Sequence, residues 1–157
     1  MYSFKDDYSE GCHPAILEAL TRTNLIQQEG YGEDVYSKEA KKLIREKIQN
    51  PDAEIFLVSG GTQTNLIVIA SALKPHESVI CADTGHINLH EAGAIEAVGH
   101  KINEIKSIDG KISPIKIQTL LDEHNVIPHM VKPKMVYISN ATEIGSIYSK
   151  QEPMSFS

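Results

Sequence analysis

Basic patches, clustered cysteines and long apolar segments are all missing from this sequence. Its 157 residues carry 15 lysines and arginines against 21 aspartates and glutamates, a formal charge of −6, with no run of basic residues interleaved with aromatics. A nucleic-acid-binding surface needs such a positive patch, so we expect no nucleic-acid partner. No apolar stretch approaches the roughly 18 residues of a membrane span, and the N-terminus MYSFKDDYSE is too acidic for a signal peptide. We therefore expect a cytoplasmic protein with no membrane partner.

The cysteine content is low and gives no sign of a disulfide or zinc framework. Cys12 and Cys81 lie far apart and match no metal or redox spacing, which predicts two reduced thiols. Apolar residues make up 41% of the chain, enough for one domain with a core of its own.

Strand-like and helix-like segments alternate from residue 54 onward. Strands are predicted near 54–58, at 78–82, around 102–107 and at 135–139, with helices at about 62–73 and 86–97 and from Ser113. An irregular arm over residues 1–12, a helix from Pro14 and a helix from Ser37, whose hydroxyl is expected to cap it, come before them. This alternation predicts an α/β fold with a mainly parallel sheet covered by helices on its faces. Ligands of such sheets bind at the carboxyl ends of the strands.

The segment VSGGTQTNL, residues 58–66, joins a predicted strand to a predicted helix through two glycines. Free N–H groups and the positive end of the helix would then point at one place, which suits a phosphate. The segment is neither a P-loop nor a dinucleotide fingerprint, so it favours an isolated phosphate group. The alternative is a tight structural turn with Thr62 as the helix cap.

The segment DTGHINLHEAGAIEAVGH carries two histidines and a glutamate near the start of a predicted helix. His86 and His90 are four residues apart and share a face, but a third ligand is lacking, so we expect no metal. The segment is either a solvated helix start or a place where His86 stacks on an aromatic ligand while Glu91 supplies a charge or hydrogen bond. The polar loop in YISNATEIGSIYS, which contains Thr142 and Glu143, is either a second part of the same site or an ordinary turn.

Five blocks in order, DYSEGCHPAILEAL, GYGEDVYS, FLVSGGTQTN, DTGHINLHEAGAIEA and ISNATEIGSIYSKQE, resemble the threonine aldolase and aromatic β-eliminating lyase family. The resemblance implies the aminotransferase-like large domain of pyridoxal phosphate enzymes of fold type I, with a three-layer arrangement and a mainly parallel sheet. It implies a lyase of amino acid metabolism that cleaves a β-hydroxy amino acid such as threonine to glycine and an aldehyde. A β-eliminating amino acid lyase is the alternative.

The resemblance also implies roles for individual residues. His86 would stack on the pyridine ring and Glu91 would act with it as the second catalytic residue. Ser9 and Tyr31 would approach the substrate or reach the site of the neighbouring subunit. Cofactor-binding roles fall on Gly60, Gly61, Thr62, Gln63, His86, Thr142 and Glu143. The cofactor implied is pyridoxal 5′-phosphate, the substrate is a small amino acid, and the assembly is a homodimer or homotetramer.

The resemblance covers the N-terminal arm and the first part of the large domain. The family's Schiff-base lysine, the rest of that domain and the small domain would follow residue 152, where this sequence departs into PMSFS. We therefore expect a truncated chain whose parent is the enzyme, with weak or absent cofactor binding by the chain alone. A non-catalytic fragment that associates with itself is the other reading.

Overall fold

The computed structural model describes residues 2–3, 9–126 and 128–154, and these divide into two units, one ending at Leu57 and one beginning at Val58. Half of the predicted arm 1–12, namely residues 1 and 4–8, lies outside the described residues. The first unit contains α1 (Pro14–Thr23) and α2 (Val35–Ile48). Helix α1 begins at the proline, as predicted.

Helix α2 begins two residues before Ser37, so the predicted cap was wrong. Asp34 is the cap, because its carboxylate accepts the backbone N–H of Ser37 at 2.8 Å and the Ser37 hydroxyl at 2.6 Å. A carboxylate is the stronger acceptor and is also favoured by the helix dipole. These hydrogen bonds lower the pKa of Asp34, the Ser37 hydroxyl having the largest effect.

The second unit alternates helices with three parallel strands among its described residues. Its elements are α3 (Gly61–Ala72), β1 (Glu77–Ala82), α4 (His86–Leu89), α5 (Ala94–Ala97), β2 (Lys101–Ile105), α6 (Pro114–Glu123), β3 (Lys132–Val136) and α7 (Gln151–Met154). The strand order is β2-β1-β3, and β1 pairs in parallel with both neighbours. The predicted α/β fold with a parallel sheet is confirmed.

Side chains of β1 enter the core on both sides of the sheet. Val79 and Cys81 pack with apolar residues of α3, α4 and α5, whereas Ile80 and Ala82 pack with those of β2 and α6. Alternate residues of a strand point to opposite faces, so a strand buried on both faces is apolar throughout. This packing gives three layers, helix, sheet and helix. No helix within the described residues is long and apolar enough to cross a membrane.

Several predicted boundaries were wrong. Residues 54–58 form no strand, because no described strand pairs with this run. Phe56 within it is 79% exposed. The predicted helix 86–97 is two short helices, since Ala92 and Gly93 have φ values of 51° and 74°, which interrupt the helical hydrogen bonds. The strand predicted around 102–107 is shorter, and the strand predicted at 135–139 begins and ends three residues earlier, because its pairing with β1 sets its limits.

Candidate active site

The turn before α3 forms an open cradle of backbone N–H groups. This cradle consists of Gly60, Gly61, Thr62 and Gln63. Gly60 is the N-cap and has no side chain to cap the first turn, so N–H groups of that turn lack an intrahelical acceptor. A Cβ atom added at Gly60 or Gly61 would meet nothing within 4 Å, so the space beside the cradle is open. The cradle can therefore accept an anion at the positive end of α3.

Gln63 has a different position from the other members of the cradle. Its Oε1 accepts the backbone N–H of Ser59 at 2.9 Å and the Ser59 hydroxyl at 2.8 Å. The side chain thus reaches back and holds the residue before the N-cap, much as the glutamine of a capping box does. Thr62 is the second residue of the helix, so the alternative in which it serves as the cap was wrong.

His86 opens α4 four residues after β1 ends, with a side chain that is 42% exposed. Gly85 brings the helix close to the strand, because a Cβ at this position would lie 2.9 Å from the carbonyl oxygen of Ala82 and 3.2 Å from the Cys81 side chain. Only glycine fits this approach without a backbone shift. His86 is thereby placed at the carboxyl end of the central strand.

Two carboxylates flank the ring of His86. Glu143 Oε1 lies 3.1 Å from Nδ1, and Glu91 Oε1 lies 3.9 Å from Nε2. A carboxylate accepts and does not donate, so Nδ1 carries the hydrogen in the shorter contact. The contact with Glu91 is beyond hydrogen-bonding distance and is electrostatic. Together the two glutamates restrict how the ring can turn.

Glu91 is buried between the two short helices, with a fully buried side chain. Asn65 of α3 donates from Nδ2 to Glu91 Oε1 at 2.7 Å, while Glu91 Oε2 has no hydrogen-bond partner among the described residues. A buried carboxylate with a single protein donor is energetically unfavourable, because a charge removed from water needs hydrogen-bond partners to replace the water. The bond joins the helix that carries the cradle to the loop that supports His86.

Glu143 lies in a loop that follows β3, next to Thr142. Its Oε2 is also 3.9 Å from His90 Nε2, and the His86 and His90 rings have centroids 5.5 Å apart. Two imidazoles and two carboxylates therefore cluster at one edge of the sheet. No group of three or more histidines, cysteines, aspartates or glutamates among the described residues is arranged to hold a metal ion.

Thr142 is buried and makes its own turn rigid. Its N–H donates to the carbonyl of Ser146 at 2.9 Å, and its hydroxyl accepts the Ser146 N–H at 3.1 Å. The Ser146 hydroxyl donates to the carbonyl of Asp109 at 2.6 Å, which ties this loop to the turn after β2. The Asp109 carboxylate accepts the Lys111 N–H and the Ser107 hydroxyl, and these bonds lower its pKa.

The far end of the same loop is tied down by Tyr148 and Glu152. The Tyr148 hydroxyl accepts the N–H of Ile112 at 2.8 Å, and burial raises the pKa of this phenol. Glu152 accepts the Ser149 N–H and lies 3.0 Å from the ammonium of Lys111, and these contacts, the Ser149 bond first, lower its pKa to about 2. The position of Glu143 is therefore set by contacts on both sides of its loop.

The family model for beta-eliminating lyases matches residues 5–155. The chain belongs to the beta-eliminating lyase family.

Relatives within the family are threonine aldolases by name. The chain is 34% identical over 149 residues to a low specificity L-threonine aldolase of a Pseudomonas species, covering 94% of this chain and 42% of the relative. It is 31% identical to the enzyme of the same name from Pseudomonas aeruginosa, with the same coverage. A solved structure of Leishmania major threonine aldolase superposes with a TM-score of 0.94 at 49% identity, covering 99% of this chain and 45% of that one. The chain thus spans less than half the length of these relatives.

The residues of this chain fit pyridoxal 5′-phosphate, the cofactor that membership of the family implies. The open cradle suits its phosphate, and the half-exposed ring of His86 suits a flat aromatic group at the same edge of the sheet. The roles predicted for the individual site residues nevertheless stay predictions.

Of the predicted site residues in the second unit, the structure brings His86 to within 3.1 Å of Glu143 and 3.9 Å of Glu91, and a hydrogen bond from Asn65 links Glu91 to the helix that follows the cradle. Ser9 and Tyr31 lie in the first unit, where both are exposed, and their role toward the substrate stays a prediction. Sequence reasoning missed Asn65, which contacts Glu91. A lone asparagine within a helical pattern carries no signal of a partner 26 residues away.

Proposed function

We propose that this chain supplies the phosphate-binding and ring-binding part of a pyridoxal phosphate-dependent lyase of the threonine aldolase type. The observation that carries the proposal is the pairing of an open cradle with the His86–Glu91–Glu143 cluster, in a chain whose relatives are named threonine aldolases. The reaction is cleavage of a β-hydroxy amino acid to glycine and an aldehyde. The predicted cytoplasmic location stays a prediction.

In this proposal the cradle binds the phosphate through the N–H groups of Gly61 and Thr62. The helix dipole of α3 adds about 0.3–1 kcal/mol for a negative charge at this end. His86 would lie against the pyridine ring. Glu143 accepts the Nδ1 hydrogen of His86 and so holds the imidazole ring with one face presented to the cofactor. The buried carboxylate of Glu91 interacts electrostatically with the other ring nitrogen of His86, Nε2.

When bound, the cofactor supplies an electron sink that makes cleavage of the Cα–Cβ bond of an amino acid feasible. The residues of this chain bind, orient and shield. In this arrangement the buried Glu91, which lies 3.9 Å from Nε2 of His86, occupies the space beside that nitrogen and so excludes water from it.

The cradle is tested by placing a charge in it. Gly61→Asp adds a carboxylate at the helix end, while the matched control Gly61→Asn adds a neutral side chain of the same shape. At an effective dielectric constant of about 20, two unit charges 4 Å apart repel by about 4 kcal/mol, and 1.4 kcal/mol corresponds to a factor of ten in affinity. We therefore expect Gly61→Asp to bind inorganic phosphate and pyridoxal phosphate at least about tenfold more weakly than Gly61→Asn.

Binding is measured by titrating either ligand into the 15N-labelled chain and following the amide signals of residues 60–63. Shifts confined to these residues and lost in Gly61→Asp support the proposal. Equal affinities of the two variants, or shifts elsewhere in the chain, would contradict it.

The reaction type is tested by product analysis of the protein that carries this segment. Threonine converted to glycine and acetaldehyde supports aldol cleavage. Threonine converted to 2-oxobutanoate and ammonia would instead support the β-eliminating alternative.

We also propose that the chain forms a homodimer or homotetramer. Strand β3 has one neighbour in the described sheet and Val136 is 37% exposed, while α1 buries none of its residues. Apolar surfaces of this kind favour association with a second chain. Light scattering at micromolar concentration, with and without about half-molar salt, tests this: apolar association survives the salt, which screens surface charges beyond a few ångströms. A 17.3 kDa monomer under both conditions would contradict the proposal.

A further inference from the structure

Asn65 connects the two halves of the candidate active site. It lies in the second turn of α3, two residues after the cradle ends, and its Nδ2 donates to Glu91 Oε1 at 2.7 Å. The same Oε1 atom lies 3.9 Å from Nε2 of His86. We propose that Asn65 is a positioning residue that orients the carboxylate of Glu91 and, through it, the ring of His86.

The burial of Glu91 explains why one amide can have this effect. Its side chain is fully buried, and Asn65 is the one hydrogen-bond donor to its carboxylate among the described residues. A buried carboxylate adopts the orientation in which its donor is satisfied, because an unpaired buried charge is strongly unfavourable. Removing the amide leaves Glu91 with no donor, so the carboxylate has to turn toward His86 or toward water.

Because Asn65 lies on α3, its bond to Glu91 links the position of His86 to that of the cradle. A helix moves as a rigid body, so the cradle and Asn65 keep a constant distance. The Asn65–Glu91 bond therefore fixes where the His86 ring lies relative to the bound phosphate. This consequence rests on the proposed function, whereas the bond itself does not.

The test uses the full chain without cofactor, so that its outcome is independent of ligand binding. The ring nitrogen and carbon-bound hydrogen signals of His86 are recorded by NMR at one pH in the wild type and in Asn65→Ala and Asn65→Asp. The matched control is Gln118→Ala, because Gln118 also donates an amide hydrogen to a carboxylate, that of Asp122, at 2.7 Å, but on the exposed surface of α6.

We expect Asn65→Ala to shift the ring signals of His86 and to broaden them, as the ring samples several orientations. Asn65→Asp keeps the shape but replaces the donor by an acceptor, so it should shift the same signals. Gln118→Ala should leave them at their wild-type positions. His86 signals unchanged in both Asn65 variants would overturn the inference, as would an equal shift in Gln118→Ala.

A second background guards against variants that do not fold. Glu91→Gln removes the buried charge, so Asn65→Ala in that background leaves no carboxylate unpaired. The inference expects Asn65→Ala to change the His86 signals less in this background than with Glu91 present, because the carboxylate through which Asn65 acts is absent, and an equal change in both backgrounds would overturn it. Failure of phosphate to bind the cradle would instead overturn the proposed function and leave the inference about Asn65 standing.

Discussion

Gly110 packs closely against the loop that carries Glu143. Replacing Gly110 by alanine therefore gives the sharpest test of the geometry of the candidate site. Gly110 has φ +75°, and a Cβ there would lie 3.0 Å from the Cβ and Oγ1 of Thr142 and 3.1 Å from Cγ1 of Ile144. Thr142 cannot easily move away, since it is buried and hydrogen-bonded to Ser146. Gly110→Ala therefore adds steric overlap to backbone strain.

Gly99 is the matched control, because it separates these two effects. It has φ +88°, but a Cβ at this position would meet nothing within 4 Å. Alanine at a left-handed position costs about 1–2 kcal/mol, and overpacking adds roughly 1–3 kcal/mol. We expect Gly99→Ala to lower the free energy of unfolding by about 1–2 kcal/mol and Gly110→Ala by about 2–5 kcal/mol.

Urea unfolding measures the difference. With a slope of about 2 kcal/mol per molar urea, an extra 2 kcal/mol lowers the midpoint by about 1 M. The amide signals of residues 142–146 should shift in Gly110→Ala and remain in place in Gly99→Ala. Equal midpoints for the two variants, with the loop signals unchanged, would refute the close packing of Gly110 on Thr142.

Three further predictions address thiol reactivity, acid stability and the core. Burial raises the pKa of Cys81 to about 12, so iodoacetamide at pH 8 should label the exposed Cys12 alone until the chain is unfolded; two fast labels on the native chain would contradict this. The pKa of Glu152 is depressed to about 2, so the stability it adds is present above its unfolded value near 4.5 and is lost as the pH falls toward 2. Glu152→Gln should thus lower the urea midpoint at pH 7, and the deficit should shrink between pH 4.5 and 2; a deficit constant with pH would contradict this. Ile95→Ala, which empties a fully buried position, should lower the free energy of unfolding by about 2–5 kcal/mol, and a loss as small as that of a surface variant would mean that α5 does not cover the sheet.

Strand β1 shows where the sequence pattern is sufficient. The run SVICA at 78–82 is apolar at nearly every position, and the structure has the strand within one residue of the prediction. The similar run at 55–58 was predicted as a strand for the same reason, yet Phe56 and Leu57 are exposed. An apolar run indicates a tendency to be buried, but a strand also needs a neighbour that satisfies its N–H and C=O groups. The sequence of the run itself contains no information about that neighbour.

A glycine in the sequence indicated the break between α4 and α5, but the helical periodicity of the segment favoured one continuous helix. Gly93 lies in the middle of the predicted helix 86–97, and its left-handed backbone follows that of Ala92. The break is what buries Glu91 beside Asn65, since a continuous helix would direct this side chain differently. The local feature that sequence reasoning missed is therefore the one that builds the buried side of the site.

The parallel sheet explains why His86 and Glu143, both predicted as site residues, lie together although several predicted boundaries were wrong. Strands β1 and β3 run in the same direction with Ile80 opposite Val136, so the segments that follow both strands emerge at one edge, where His86 meets Glu143. The cradle is linked to this cluster through its helix, α3, without the strand that was expected before it. Its helix is anchored by Ile69, which is 1% exposed in the core, and by the bond from Asn65 to Glu91. Pairing of β1 with β3 thus brings His86 and Glu143 together. The single buried hydrogen bond from Asn65 to Glu91 connects the helix of the cradle to them.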